Sequence, residues 1–282
     1  MSGVKEWEIG VMFWASDRPA ETLATLRDMG FRGGQMGVPG KLTLDSRLTQ
    51  AWKKALAEAQ FTLYTVFAAY EGESYADIPT VQRTVGFIPR VTREVREQRT
   101  LEVSDFAAQL GVASIATHVG FIPEDTSDAD YLAVREMVRR VCDHAVSHQQ
   151  TFALETGQER ADILLDFLHD VNRRNLGINF DPANMILYGT GDPVKSLEVV
   201  GQHVVSVHCK DGDWPPVGVP GALGAEQPLG KGSVDLKGFL AGLKKIGYKG
   251  ALTIEREAHD QEQRLRDIQD GKRLLEELRA GV

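Results

Sequence analysis

Cysteine is scarce: Cys142 and Cys209 are the only two in 282 residues. That is too few for a disulfide-held secreted scaffold and suits a reducing cytosol. No apolar run approaches the roughly 18 residues a membrane helix needs. The start, Met-Ser-Gly-Val-Lys-Glu-Trp-Glu-Ile-Gly, has no basic-then-apolar signal region. The expectation is a soluble, cytoplasmic protein. Positive charge is also in deficit, with 32 Lys and Arg against 40 Asp and Glu and a formal net charge of −8. Such a surface repels phosphate backbones and anionic lipid, so neither nucleic acid nor a membrane is expected as a partner. No Pro/Gly/Ser-rich linker or low-complexity tract divides the chain. No G-x-G-x-x-G follows a candidate strand, which disfavours a Rossmann oxidoreductase. An amidohydrolase barrel would want His-x-His on strand one, where the chain has Met12-Phe13-Trp14.

What remains is an ordinary globular composition, 42% hydrophobic and 26% charged, which excludes disorder, collagen and coiled coil. Short apolar runs alternate with longer amphipathic stretches from end to end, the pattern of strand-helix units over a parallel sheet. Eight strand candidates appear, at residues 8–14, 32–37, 61–68, 113–118, 151–156, 176–181, 204–210 and 250–255. Helical patterns such as 45–60, 128–149 and 235–246 lie between them. Asp192-Pro193 reads as a helix start, and Gly30 and Gly111 as helix ends. The reading is one (β/α)8 TIM barrel over residues 1–282, with its active site at the C-terminal mouth of the strands. Two connections, from about Glu71 to Pro89 and from Asp211 to Ser233, are longer than usual α/β loops and fall at that mouth, as surface insertions or as lids.

The last four strands carry the chemistry. Side chains alternate across a strand, so Phe152/Leu154, Ile178/Phe180, Val205/Val207/Cys209 and Leu252/Ile254 share the face that packs under the helices. The opposite, inward face ends in Glu155, Asp181, His208 and Glu255. An unpaired charge inside a barrel costs several kcal/mol, so three carboxylates at one level call for a compensating cation. Three carboxylates and one imidazole suit a single divalent ion, Mn²⁺, Mg²⁺, Co²⁺ or Zn²⁺. Each residue taken alone reads equally well as a strand-end cap with a local hydrogen bond. Lys210 shares the parity of His208 one pleat higher, and His118 ends strand four; both suit holding a substrate oxygen. Gln158 and Asn184 follow ligand-bearing strands and can hydrogen-bond hydroxyls, Asn184 serving equally as a turn residue. Trp14 ends strand one, where its ring suits stacking on the face of a ligand or a place at the rim. Gly230-Lys231-Gly232 has the form of a phosphate-binding turn without the rest of a P-loop. His144, His148, His169, His203 and His259 read as solvated residues in or beside helices.

Five segments carry a resemblance over nearly the whole chain. They are Thr117-His118-Val119-Gly120-Phe121, Leu154-Glu155-Thr156-Gly157-Gln158-Glu159, Asn179-Phe180-Asp181-Pro182-Ala183-Asn184, Val207-His208-Cys209-Lys210-Asp211 and Thr253-Ile254-Glu255. Together they resemble the xylose isomerase-like TIM barrel superfamily, in its sugar phosphate isomerase/epimerase branch. The resemblance implies that Glu155, Asp181, His208 and Glu255 bind one divalent cation and that Glu155 and Glu255 also exchange protons with the substrate. It implies isomerisation or epimerisation of a small sugar, sugar phosphate or polyol ketone through a metal-stabilised enediolate. Where tagatose-type epimerases often carry a histidine and a second glutamate, this chain has the neutral Asn184 and Gln158. Rival readings are an inosose dehydratase-like lyase, an endonuclease IV-like phosphodiesterase and a non-catalytic sugar-binding barrel. Homo-oligomerisation is compatible with the sequence.

Overall fold

The computed structural model describes residues 7–281. The first six residues, on which the expected lack of a signal region partly rests, and residue 282 lie outside the described residues. The chain forms β1 (Ile9–Trp14), α1 (Pro19–Asp28), β2 (Gly33–Val38), α2 (Ser46–Ala59), β3 (Thr62–Ala68), α3 (Ile78–Thr84), α4 (Arg93–Gln109), β4 (Ser114–Thr117) and α5 (Ala129–Ser147). It continues with β5 (Thr151–Glu155), α6 (Ala161–Val171), β6 (Leu176–Phe180), α7 (Pro182–Tyr188), α8 (Pro193–Val200), β7 (Val204–Cys209), β8 (Asp211–Gly212), β9 (Glu226–Gln227), α9 (Leu236–Lys245), β10 (Leu252–Ile254) and α10 (Gln261–Ala280). Eight strands close a barrel in the order β1-β10-β7-β6-β5-β4-β3-β2, and every pair in it is parallel. The fold is an α/β TIM barrel.

Strand parity separates two interiors. Phe152, Leu154, Ile178, Phe180, Val207, Leu252 and Ile254 are buried in the layer between strands and helices. Inside the barrel, a small apolar group of Met12, Phe67, Ala116 and Ala153 adjoins buried polar side chains. There Gln35 Nε2 lies 3.2 Å from Asn179 Oδ1 and 3.3 Å from both Val207 O and Thr253 Oγ1. The Ser206 hydroxyl donates to Asn179 Oδ1 at 2.6 Å. The small residues of β2 let β1 approach closely: a Cβ on Gly34 would sit 2.1 Å from the Val11 carbonyl oxygen.

Many acidic residues are used as helix caps. The side chains of Asp45, Asp77, Asp128, Asp181, Asp192, Asp235 and Asp260 each accept a backbone N–H at a helix start. Because helices follow strands, these caps lie on the side of the barrel mouth. Gly30 and Gly111 end helices with φ of 80° and 78°, as their positions predict. Cys142 and Cys209 are both free and buried.

The two long connections carry structure of their own: the first contains α3, and the second pairs β8 with β9 as an antiparallel ribbon. Two expectations need correction. The amides of the Gly230-Lys231-Gly232 turn are not open to a phosphate. Gly230 and Gly232 donate to Asp211 Oδ2 at 2.9 and 3.0 Å, while Gly212 and Val234 donate to its Oδ1 at 2.8 and 3.0 Å. The carboxylate of Asp211 is thus the anion this nest of amides holds. Finally, His144 and His148 are not simply solvated but turn together onto Asp105 of the neighbouring helix.

Candidate functional site

Glu155 is the last residue of β5, and Asp181 and Glu255 each follow the last residue of β6 and β10. His208 lies within β7, paired with Thr253 of β10. One donor atom from each of the four lies within 4.8 Å of the other three. His208 Nδ1 is central, 3.1 Å from Glu155 Oε1, 3.1 Å from Glu255 Oε2 and 3.8 Å from Asp181 Oδ2.

Three of these four side chains are oriented from behind. Asp181 Oδ1 caps α7 by accepting from the amides of Ala183 and Asn184 at 2.8 and 3.1 Å. That leaves Asp181 Oδ2, fully buried and without a hydrogen-bond partner, facing the other three residues. On the far side of the imidazole, His208 Nε2 is 3.1 Å from Gln35 Oε1. The Gln35 amide nitrogen is occupied by its own acceptors, so Oε1 accepts the hydrogen bond of Nε2–H and Nδ1 is left facing the carboxylates. Asn184 Nδ2 donates to Glu155 Oε1 at 3.1 Å, and His118 Nε2 is 3.2 Å from Glu155 Oε2.

The electrostatics show the same demand for positive charge. Burial pushes the Asp181 carboxyl up to about 6, against the pull of the nearby His208 imidazole and the charge of Lys210. Burial would lower His208, but Glu255 and Glu155 outweigh it and hold the imidazole well above its ordinary value. Glu255 is held well below the carboxylate range, since His208 and Lys210 overcome its desolvation. A cluster that draws protons to offset three carboxylates is one that a divalent cation fits: bound there, it would replace the proton on Nδ1 and give Asp181 Oδ2 the partner it lacks.

Above this centre lies a cavity of about 230 Å³. Trp14, His118, Asn184 and Lys210 line it together with Glu155 and Glu255. Lys210 is buried, its Nζ donating to Glu255 Oε2 at 3.1 Å and to Glu257 Oε2 at 3.4 Å. Gln158 stands apart from the wall, its Nε2 3.4 Å from both His118 Nδ1 and the Tyr188 hydroxyl, so it backs His118. Sequence reasoning missed Gln35, which a register shift of β2 against β3 between Gly34 and Gln35 accompanies, and it missed the loop residues. Glu73 and Tyr75 from the first long connection, and Leu223, Gly224 and Glu226 from the second, complete the cavity wall. Glu73 is anchored by the amides of Gly86 and Tyr70, at 2.8 and 3.2 Å. The length of these two connections was the available signal.

A family model described as xylose isomerase-like TIM barrel matches residues 23–278. A xylose isomerase domain protein from Planctomyces limnophilus is 43% identical, with a TM-score of 0.93 over 98% of this chain and 99% of that one. A xylose isomerase-like TIM barrel protein from Mycobacterium smegmatis, solved in complex with magnesium, is 18% identical at a TM-score of 0.71, covering 100% and 99% of the two chains. A D-allulose 3-epimerase from Methylomonas sp. is 17% identical at a TM-score of 0.69, covering 99% and 100%. The same fold is found in 3-epimerases of D-psicose and L-ribulose and in a probable 3-DHS dehydratase.

Proposed function

The chain belongs to the xylose isomerase-like TIM barrel family, and on that premise we propose that it is a divalent-metal-dependent isomerase or epimerase of a small, uncharged polyol ketone or sugar. The observation that carries the reading is the convergence of Glu155, Asp181 Oδ2, His208 Nδ1 and Glu255 at one point, with Asp181 Oδ2 buried and unpartnered. These four residues would hold Mn²⁺, Mg²⁺, Co²⁺ or Zn²⁺. The ion would supply Lewis acidity to a substrate carbonyl and its neighbouring hydroxyl, making the α-carbon proton acidic.

The side chains divide the remaining work. Glu155 and Glu255 stand on either side of His208 Nδ1, so one carboxylate can take the α-proton and the other can return one. Lys210, held between Glu255 and Glu257, keeps Glu255 ionised and presents its ammonium to a substrate oxygen at the cavity wall. His118 and Asn184 hold Glu155 from two directions, and Asn184 offers its remaining polar atoms to hydroxyls. Trp14 gives the mouth an apolar side on which a sugar face can stack.

Lys210 is the only lysine or arginine among the described residues lining the cavity, against Glu73, Glu155, Glu226, Glu255 and Glu257. Arg256 offsets Glu226 from outside, at 3.0 Å. With Lys210 engaged and the glycine-turn amides held by Asp211, the site has no prepared place for a phosphate, which supports an uncharged substrate. Residues 7–281 are read as one barrel domain, and two buried free cysteines agree with a cytoplasmic setting. Among the described residues, no helix is long and apolar enough to cross a membrane.

The test is α-proton exchange in deuterated water across a panel of ketoses and inososes, with metal content measured on the same samples. The metal-loaded protein should place solvent deuterium on the α-carbon of at least one of them. Glu255→Gln should slow that exchange by roughly 10²–10⁴-fold. Unchanged exchange in Glu255→Gln would remove Glu255 from proton transfer.

A further inference from the structure

We propose a second metal site on the outside of the barrel, formed by His144, His148 and Asp105, which takes a borderline cation such as Zn²⁺. His144 and His148 are four residues apart at the C-terminal end of α5, which sets one imidazole a single turn above the other on one helix face. Asp105 comes from α4. Nε2 of His144 and Nε2 of His148 lie 2.7 and 2.8 Å from the same Asp105 Oδ1. One donor atom from each residue is within 4.8 Å of the other two.

The frame that carries these donors is tied on both sides. One turn before His144, Arg140 of α5 makes a bidentate pair with Glu97 of α4, at 2.5 and 2.7 Å. Beside Asp105, the buried Ser104 hydroxyl donates to Gln150 Oε1 at 2.6 Å, and Gln150 Nε2 returns a bond to the Ser104 carbonyl at 3.1 Å. Asp105 is therefore held opposite the two histidines by contacts that do not involve them, which is the preorganisation a metal site requires. The histidine side chains are 29% and 31% exposed, open enough for an ion to enter and for water to complete its coordination.

Two imidazoles and one carboxylate form a softer donor set than the carboxylate-rich barrel centre. It suits Zn²⁺, Ni²⁺ or Cu²⁺ and discriminates against Mg²⁺. Since α5 leads directly into the start of β5, its C-terminal end lies at the end of the barrel away from the mouth. The ion would act there as a clasp between α4 and α5, apart from the chemistry proposed for the cavity.

The same geometry could also serve two neutral imidazoles that each donate to one carboxylate oxygen, and the test separates the two. Zn²⁺ is titrated calorimetrically into the untagged full-length protein and into His144→Gln/His148→Gln, and thermal unfolding is followed in parallel. The barrel centre contributes equally to both proteins, so the difference reads the outer site. The double variant should take up one equivalent fewer and lose the part of the Zn²⁺-dependent rise in melting temperature that this site supplies. Asp105→Asn should weaken that equivalent at least tenfold. Equal Zn²⁺ stoichiometry in the wild type and the double variant would establish a hydrogen-bonded cluster only and overturn the proposal. Should the double variant fold poorly, the His144 and His148 ring resonances of the wild-type protein give the answer. They should shift together on Zn²⁺ addition, and invariance would overturn the proposal equally.

Discussion

Gln35→Met removes the side chain that orients His208 while nearly preserving volume, so it isolates the hydrogen bond from any cavity effect. In the wild type, Gln35 Oε1 is 3.1 Å from His208 Nε2, the one acceptor for that nitrogen among the described residues. Asn179 Oδ1 keeps the Ser206 hydroxyl at 2.6 Å, so the loss falls mainly on the imidazole. One buried N–H left without an acceptor costs about 1–3 kcal/mol. In a chain of this size that lowers the melting temperature by roughly 2–10 °C. A ring free to change tautomer or turn should also bind metal about 10–100-fold more weakly, equivalent to about 1.4–2.7 kcal/mol. Mn²⁺ affinity measured against a competing chelator, with thermal unfolding of the metal-free protein, checks both. A folded Gln35→Met protein that binds Mn²⁺ within twofold of wild type would refute the orienting role.

Burial raises the Glu159 carboxyl to about 8, with Oε1 accepting from the Ile122 amide at 2.8 Å and Oε2 buried without a partner. The folded state thus holds this proton more tightly than the unfolded chain. The stability it contributes is complete below pH 4.5 and is lost as pH rises through 8, on the order of 5 kcal/mol. Glu159→Gln should therefore lose less stability than wild type between pH 5 and 9 in denaturant titrations, and parallel curves would contradict the assignment. Asp211→Asn replaces one of the oxygens that receive two amides each, and should cost about 2–4 kcal/mol. It should also make the 211–233 connection more sensitive to limited proteolysis, which leaves a distinctive cleavage pattern.

The barrel and its metal-like cluster were legible because both rest on the two-residue period of a strand. On a parallel strand buried on both faces, a carboxylate at inward parity has few structural uses, and Glu155, Asp181, His208 and Glu255 recur at one level on four successive strands. Gln35 was not legible, since nothing in Gly-Gly-Gln-Met-Gly indicates that its amide meets an imidazole in β7. That contact depends on strand stagger across the closed barrel. Glu73 and Tyr75 were obscured for a different reason: the conformation of their loop follows from tertiary anchors such as the Gly86 amide. Gly230-Lys231-Gly232 misled because backbone amides that suit a phosphate suit an internal carboxylate equally well, and Asp211 lies within reach.

The central claim is that the barrel mouth holds one divalent ion on four side chains. Mn²⁺ is the weakest imidazole binder of the first-row series, so it reads this centre apart from the outer histidine pair. Equilibrium dialysis against Mn²⁺ followed by elemental analysis should find one equivalent per chain in the wild type. In folded Asp181→Asn, which gives up the buried unpartnered oxygen, far less than one should be found. No stoichiometric Mn²⁺ in the wild type, or a full equivalent retained by Asp181→Asn with unchanged affinity, would contradict the account.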